Sequence, residues 1–274
     1  MKKFKVGLQL YSIRDDMAKD IRKTLKAVKD MGYDYVELAG YYDMSAAELK
    51  KLLDEYGLEA VSTHESYECI LNDKEQKLDD LKTLGLKYYA MPYMGLDKHK
   101  GSDVFQKTVE DFKTVGKILK DNGVQFLYHN HAFEFTRYDG KFALEWLLDE
   151  VGDWIYPELD VCWVHYAGYK PDDYILKYKN KLPVLHLKDF ACVNMPDGPV
   201  YTDEIADEPK YPDREKAGFE FRPVGHGVQD IPAILKAAEE AGTEYVIVEQ
   251  DAFTDIEPMK AVKMSRDYLK SLGL

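Results

Sequence analysis

Cysteine is scarce: only Cys69, Cys162 and Cys192 occur in 274 residues, an odd number, widely spaced and without a C-x-x-C pair. That excludes a disulfide framework and a structural zinc cluster, and it suggests buried or semi-buried thiols in a reducing compartment. Long apolar runs are missing too. None approaches the ~20 residues of a membrane span. The start, Met1-Lys2-Lys3-Phe4-Lys5, has no apolar stretch behind it, because Gln9, Ser12, Arg14 and Asp15 interrupt. No signal peptide is therefore expected, and a cytoplasmic location is. Positive charge is in deficit, 37 Lys plus Arg against 50 Asp plus Glu, for a net charge of −13. The lysines are scattered among acids, whereas a phosphate-backbone binder needs clustered cations, so no nucleic-acid or membrane partner is expected. G-x-S-x-G, a P-loop and the Rossmann glycine fingerprint are all absent, which leaves a serine hydrolase or a nucleotide enzyme without support.

What is present is alternation. The chain is 45% hydrophobic and 32% charged, the balance of a folded domain. β-rich runs at 6–10, 35–38, 58–63, 87–91, 124–129, 155–159, 184–187 and 245–248 alternate with amphipathic stretches. Helices are predicted at 21–31, after Ser45 to near Gly57, and at 73–84, 103–122, 143–151, 171–178, 230–241 and 257–272. Ser45 with Glu48 forms a capping-box pattern. Eight strand–helix units predict a parallel sheet with right-handed crossovers. At this length they predict one (β/α)8 TIM barrel spanning residues 1–274, with an open doubly wound sheet as the alternative. The first strand is followed by Leu10-Tyr11-Ser12-Ile13-Arg14 and not by glycines, which favours the barrel. Residues 190–227, rich in Pro, Asp and Glu and without periodicity, read as a long loop or lid carrying Tyr201, Phe219, Phe221 and Arg222.

A barrel of this kind works at the C-terminal ends of its strands. There the sequence places Glu37, His64 and Glu65, His129, His131 and Glu134, Asp160, His186, Lys188 and Asp189, and Glu249, Gln250 and Asp251. Ionisable groups ending apolar runs are costly without partners, and their concentration at six strand ends is the strongest signal in the chain. Carboxylates converging with an imidazole suit a hard or borderline divalent cation. The predicted ligands are Glu134, Asp160, His186 and Glu249. Mn²⁺ is the expected ion, with Mg²⁺, Co²⁺ and Zn²⁺ as alternatives. Glu37 and His64 are candidate substrate contacts and Trp163 a candidate sugar floor. Arg14, Arg137 and Arg222 are candidate anion contacts. His99, in Asp97-Lys98-His99-Lys100-Gly101, is expected at the surface.

Several runs together resemble the sugar phosphate isomerase/epimerase family of xylose isomerase-like TIM barrels. They are Gly7-Leu8-Gln9-Leu10-Tyr11-Ser12-Ile13-Arg14, Met31-Gly32-Tyr33-Asp34-Tyr35-Val36-Glu37 and Tyr128-His129-Asn130-His131-Ala132-Phe133-Glu134-Phe135. Glu158-Leu159-Asp160, Leu185-His186-Leu187-Lys188-Asp189 and Val248-Glu249-Gln250-Asp251 complete the set. The resemblance implies a Glu, Asp, His, Glu metal site, with Asp160, His186 and Glu249 as its last three members. The first Glu has no counterpart directly at the end of the fifth strand, where His129 stands. Either Glu134 reaches back or His129 replaces it, and Glu134 is the expectation. The resemblance further implies a small sugar or keto-sugar substrate, self-association into dimers or tetramers, and proton transfer next to a carbonyl through a metal-stabilised enediolate. Glu134 and Glu249 would serve as the two acid/base groups of an epimerase. His131 or Lys188 would serve as the acid of a dehydratase acting on a keto-sugar or keto-inositol. His129 and Arg222 join the substrate contacts. A non-catalytic sugar-binding barrel is the reading from another class, and net charge favours a neutral sugar.

Overall fold

The computed structural model describes residues 4–195, 198–200 and 214–274. Eight parallel strands close into a barrel: β1 (Lys5–Gln9), β2 (Tyr35–Leu38), β3 (Glu59–His64), β4 (Tyr88–Met91), β5 (Gln125–His129), β6 (Ile155–Asp160), β7 (Val184–Leu187) and β8 (Tyr245–Val248). Neighbours in sequence are neighbours in the barrel, and β8 closes on β1 through Lys5↔Tyr245 to Leu8↔Val248. The predicted TIM barrel is therefore the fold. No helix among the described residues is long and apolar enough to cross a membrane.

Local chemistry sets the punctuation. Ser45 and Glu48 form the capping box that starts helix Ala46–Tyr56, and Gly57 ends it in the left-handed conformation. Asp20 and Asp230 cap helices Ile21–Asp30 and Ile231–Ala241. Three helices escape the periodicity reading: Arg14–Lys19, Tyr67–Asn72 and Val161–Tyr166. Each has six residues, too few for a 3.6-residue repeat to show. The described ends of the 190–227 segment carry regular structure that its composition does not suggest. Strand Asp189–Cys192 pairs antiparallel with Phe219–Arg222. Residues 196–197 and 201–213, including Tyr201, lie outside the described residues.

Side-chain alternation then divides the inside of the barrel from its outside. Leu185 and Leu187 join the large core between strands and helices, while Val184 belongs to a separate cluster with Val61, Tyr88, Ala90, Leu127, Tyr245 and Ile247. His186 lies two residues after Val184, Glu249 two after Ile247, and His129 two after Leu127. The same alternation that fills the lower barrel thus aims these groups into its upper end. Gly7 is part of that packing, because a Cβ there would meet the Ile247 side chain at 2.5 Å. At Glu37 the register of β2 on β3 shifts by one residue, a bulge beside the site.

Candidate active site

Two layers of ionisable side chains occupy the upper barrel. The outer layer is His129, Asp160, His186 and Glu249, whose nearest donor atoms all lie within 4.8 Å of one another. His129 Nε2 is 3.6 Å from Asp160 Oδ2 and 3.9 Å from Glu249 Oε2, and His186 Nδ1 is 2.9 Å from Glu249 Oε2. Asp160 divides its carboxylate between two tasks. Oδ1 caps helix Val161–Tyr166 by accepting from the Cys162 N–H at 2.8 Å, and Oδ2 faces the cluster. The inner layer is Glu37, His64 and Glu158. His64 Nε2 lies 3.0 Å from Glu37 Oε1 and 2.7 Å from Glu158 Oε2. Glu37 Oε1 also meets His186 Nε2 at 2.7 Å and accepts from Gln9 Nε2 at 2.7 Å.

The donor set fits a divalent cation. It offers two imidazole nitrogens and two carboxylates with no thiolate, the mixture borderline and hard ions take. The far nitrogen of His186 rests on Glu37, the carboxylate partner that orients a metal-ligating histidine. The structure itself shows a demand for positive charge at this point: Lys188 Nζ sits 2.8 Å from Asp160 Oδ2 and 3.0 Å from Glu249 Oε2, with Asp251 Oδ2 also at 3.0 Å.

Electrostatics sorts the groups. Burial, reinforced by His186, His64 and Lys188, drives the His129 pKa well below its ordinary value, so this imidazole is neutral and free to donate a lone pair. Burial opposes the charged forms of His64 and His186 as well, but the surrounding carboxylates win. His64 rises to about 10 through Glu37 and Glu158, and His186 rises too. Burial would raise Glu249, yet Lys188 and His186 hold it far below the carboxylate range. Burial pushes Glu158 up to about 7, helped by Glu37, and Asp251 up to about 6 against the pull of Lys188.

Above the cluster opens a cavity of about 570 Å³ lined by His64, His129, His131, Lys188, Glu249 and Asp251 among others. Metal-capable groups at the mouth of a closed barrel, under a ligand-sized cavity, match a known architecture. A family model for the xylose isomerase-like TIM barrel matches residues 25–272. The chain belongs to that family. It is 23% identical over 279 residues to the rhizopine catabolism protein MocC of Rhizobium meliloti, covering 92% of this chain and 82% of that one. To the inosose dehydratase of Geobacillus kaustophilus it is 21% identical over 288 residues, covering 91% and 86%. Among solved structures it is similar to a sugar phosphate isomerase/epimerase from Parabacteroides distasonis, with a TM-score of 0.77, 24% identity and 98% of each chain covered. It is also similar to an IOLI protein with a bound zinc atom, with a TM-score of 0.67, 16% identity and coverage of 98% and 97%. The proteins it is similar to thus include one named an isomerase/epimerase and one named a dehydratase.

Within this xylose isomerase-like barrel, Asp160, His186 and Glu249 come together as expected from their strand ends, but the fourth member of their group is His129. Glu134 lies elsewhere. The 3₁₀ turn Phe133–Phe135 folds it back behind β5, where it accepts from Tyr128 Oη at 3.0 Å and from the His131 N–H at 2.9 Å. Burial raises its pKa to about 8, against these hydrogen bonds. His99, expected at the surface, is fully buried, with Nε2 3.2 Å from the Met94 carbonyl and 3.0 Å from Tyr128 Oη. Glu37 sits in the inner layer, below the cavity lining, whereas His64 reaches the lining. Trp163 is buried and stacks on Phe219 at 5.8 Å. Arg222 is paired with Asp255 and Glu220, and Arg14 donates to the Tyr11 and Asp251 carbonyls. Four groups of the site receive no site role in the sequence reading: Gln9, Glu158, Tyr93 and Arg214. Glu158 had a signal, since it precedes Asp160 by two residues and so shares its inward face.

Proposed function

We propose that this chain is a divalent-metal-dependent sugar isomerase or epimerase that moves a proton on the carbon next to a carbonyl. The observation that supports this best is the buried quartet His129, Asp160, His186 and Glu249 beneath the cavity. We assign those four as ligands, with His129 in the place expected of Glu134. An ion held there supplies Lewis-acid polarisation of a substrate carbonyl, the role in which Mn²⁺, Mg²⁺, Co²⁺ or Zn²⁺ all serve.

The chain's own residues do the rest. Glu249 is a carboxylate that lines the cavity, and its position there assigns it the carbon-bound proton. His131 lines the same cavity, and burial with Lys188 nearby drives its pKa down to about 3, so it stands there as a neutral imidazole placed to hydrogen-bond a second substrate position. Glu134 is the positioning residue that fixes the His131 backbone through its N–H. Lys188 stays protonated because Asp160, Asp251 and Glu249 outweigh its burial, so it donates to a substrate oxygen. That last group supports a second reading, dehydration of a keto-sugar or keto-inositol, in which the Lys188 ammonium protonates a departing hydroxyl. The similarity to an inosose dehydratase favours keeping it. The free, widely spaced thiols agree with a cytoplasmic enzyme.

The test is metal content by mass spectrometry, native and after chelation and Mn²⁺ reloading, alongside Asp160→Asn and Glu249→Gln. One ion per chain, lost in both variants, is the expected result. The loaded protein is then screened in D₂O against ketoses and keto-inositols. Deuterium exchange without loss of water supports the isomerase, and release of water supports the dehydratase. No ion and no uptake would remove the metal reading.

A further inference from the structure

The cavity above the metal-capable quartet has a neighbour. A second cavity of about 560 Å³ shares Tyr93, His131 and Asp251 with it, so the two are lobes of one site. Each lobe alone falls within the ~300–1,000 Å³ that a complete small ligand occupies. Their walls differ. The first lobe carries the ionisable groups, whereas the second is walled by Phe133, Trp163, Tyr166 and Phe221. Those rings are fixed in place: Trp163 stacks on Phe219 at an interplanar angle of 9°, and Phe219 stacks on Phe190 at 5.1 Å.

The second lobe is not purely apolar. The Trp163 indole N–H and His131 Nδ1 are buried without a hydrogen-bond partner. Buried polar atoms are normally satisfied, so these two, on residues that line the cavity, are unused hydrogen-bonding groups at its wall. The Arg214 guanidinium lies 5.3 Å from the Trp163 ring, and no carboxylate among the described residues pairs with it. Flat aromatic walls with a few scattered donors match a pyranose ring, which offers an apolar C–H face and hydroxyls at its edge. A phosphate group fits less well, because Arg214 is the one cation among the described residues that line this lobe, and the Asp251 carboxylate lines it too.

We propose that the second lobe binds a second sugar ring, so that the substrate is a glycosylated keto-sugar, with its keto-sugar unit over the quartet and its glycosyl unit against Trp163 and Arg214. This rests on the reading of the first lobe as a sugar site. It explains why the cavity extends beyond the acid/base groups and why His131 stands at the junction of the lobes.

Two measurements test it. Calorimetric affinities are compared for methyl β-D-glucopyranoside and cellobiose on the Mn²⁺-loaded full chain, wild type, Arg214→Ala and Phe221→Ala. In parallel, D₂O exchange is followed on D-fructose and on the ketose disaccharides lactulose, maltulose, isomaltulose and turanose. The proposal expects cellobiose to bind at least 10-fold tighter than the methyl glucoside, with that ratio falling at least 5-fold in Arg214→Ala and in Phe221→Ala. Equal affinities, no binding of either sugar, or a ratio that both variants leave untouched would overturn it. Exchange on fructose at an efficiency equal to all four disaccharides would overturn it while leaving the isomerase reading intact. Tight, Arg214-dependent cellobiose binding without exchange on any ketose would support the second lobe and sink the isomerase reading.

Discussion

The two ends of the barrel use the same inward-pointing alternation for opposite purposes. At the bottom, Tyr35, Tyr88 and Tyr245 meet edge to face, with Tyr245 5.5 Å from Tyr35 and 5.9 Å from Tyr88. The Lys5 and Lys87 ammonium groups close over them, donating to Tyr245 Oη at 3.2 and 2.7 Å, and Lys5 also pairs with Glu244 at 2.6 Å. Lys5, Lys87 and Glu244 reach solvent, so this floor gains aromatic packing at little desolvation cost. At the top, Glu37, Glu158, Asp160, Asp251 and Glu249 share one ammonium and a cluster of imidazoles, mostly out of water. Burying charges in that way is weak for stability and is repaid only by partners. The contrast teaches where stability resides and where chemistry has displaced it.

The sharpest way to break the contrast is Glu249→Gln. It removes one quartet carboxylate and the group assigned to take the proton, so exchange on any confirmed ketose falls by ~100-fold or more. Metal retention is lost, and the melting temperature of the metal-free protein falls, because the buried Lys188 and His186 lose the carboxylate that compensates them. A variant that keeps both metal and activity would show that the site is misplaced. Glu37→Gln comes next. It leaves the quartet whole but weakens the acceptor behind His186 Nε2, and metal affinity falls by about 10–100-fold. Competition with a chelating dye measures it. An unchanged affinity would mean that the inner layer does not orient the outer one.

Much of this was legible in the residues and some was not, for definable reasons. Asp160, His186 and Glu249 each end a short apolar run, and a strand end in a barrel has one possible destination. The barrel itself followed from strand–helix alternation alone. Glu134 misled because it stands five residues past His129, and no periodicity forecasts the 3₁₀ turn that folds it behind Tyr128. His99 looked solvated because its sequence neighbours are Asp97, Lys98 and Lys100. Contacts distant in sequence, with Tyr128 and Phe133, bury it. Arg214 lies in a stretch whose composition carries no pattern, and only the fold brings it over Trp163.

The bottom of the barrel predicts a smaller and purely structural effect. Tyr245→Phe keeps the ring contacts and deletes the hydroxyl that accepts from Lys5 and Lys87. The expected loss is about 0.5–1.5 kcal/mol of stability, read by denaturant titration, with metal content and exchange unaltered. Any loss of metal in that variant would mean that the two ends are coupled and the division between them is false.

Glu134 sharpens the comparison most finely, since it is buried at the top end yet outside the quartet. Its pKa is raised from 4.5 to about 8 by burial, so the folded chain holds a proton there that the unfolded chain releases near its ordinary value. The sign follows from linkage. The stability tied to that proton is full below about pH 4.5 and is lost as pH rises through about 8. Glu134→Gln has no proton to lose and can still accept from the His131 N–H. Its melting temperature should therefore match the wild type near pH 5 and exceed it near pH 9, by a few degrees for about 1–2 kcal/mol. Subtracting the two profiles cancels the titration of Glu158 and Asp251, which both chains share. A difference that stays flat from pH 5 to 9 would mean that the folded chain holds Glu134 ionised, with its charge carried by Tyr128 and the His131 N–H.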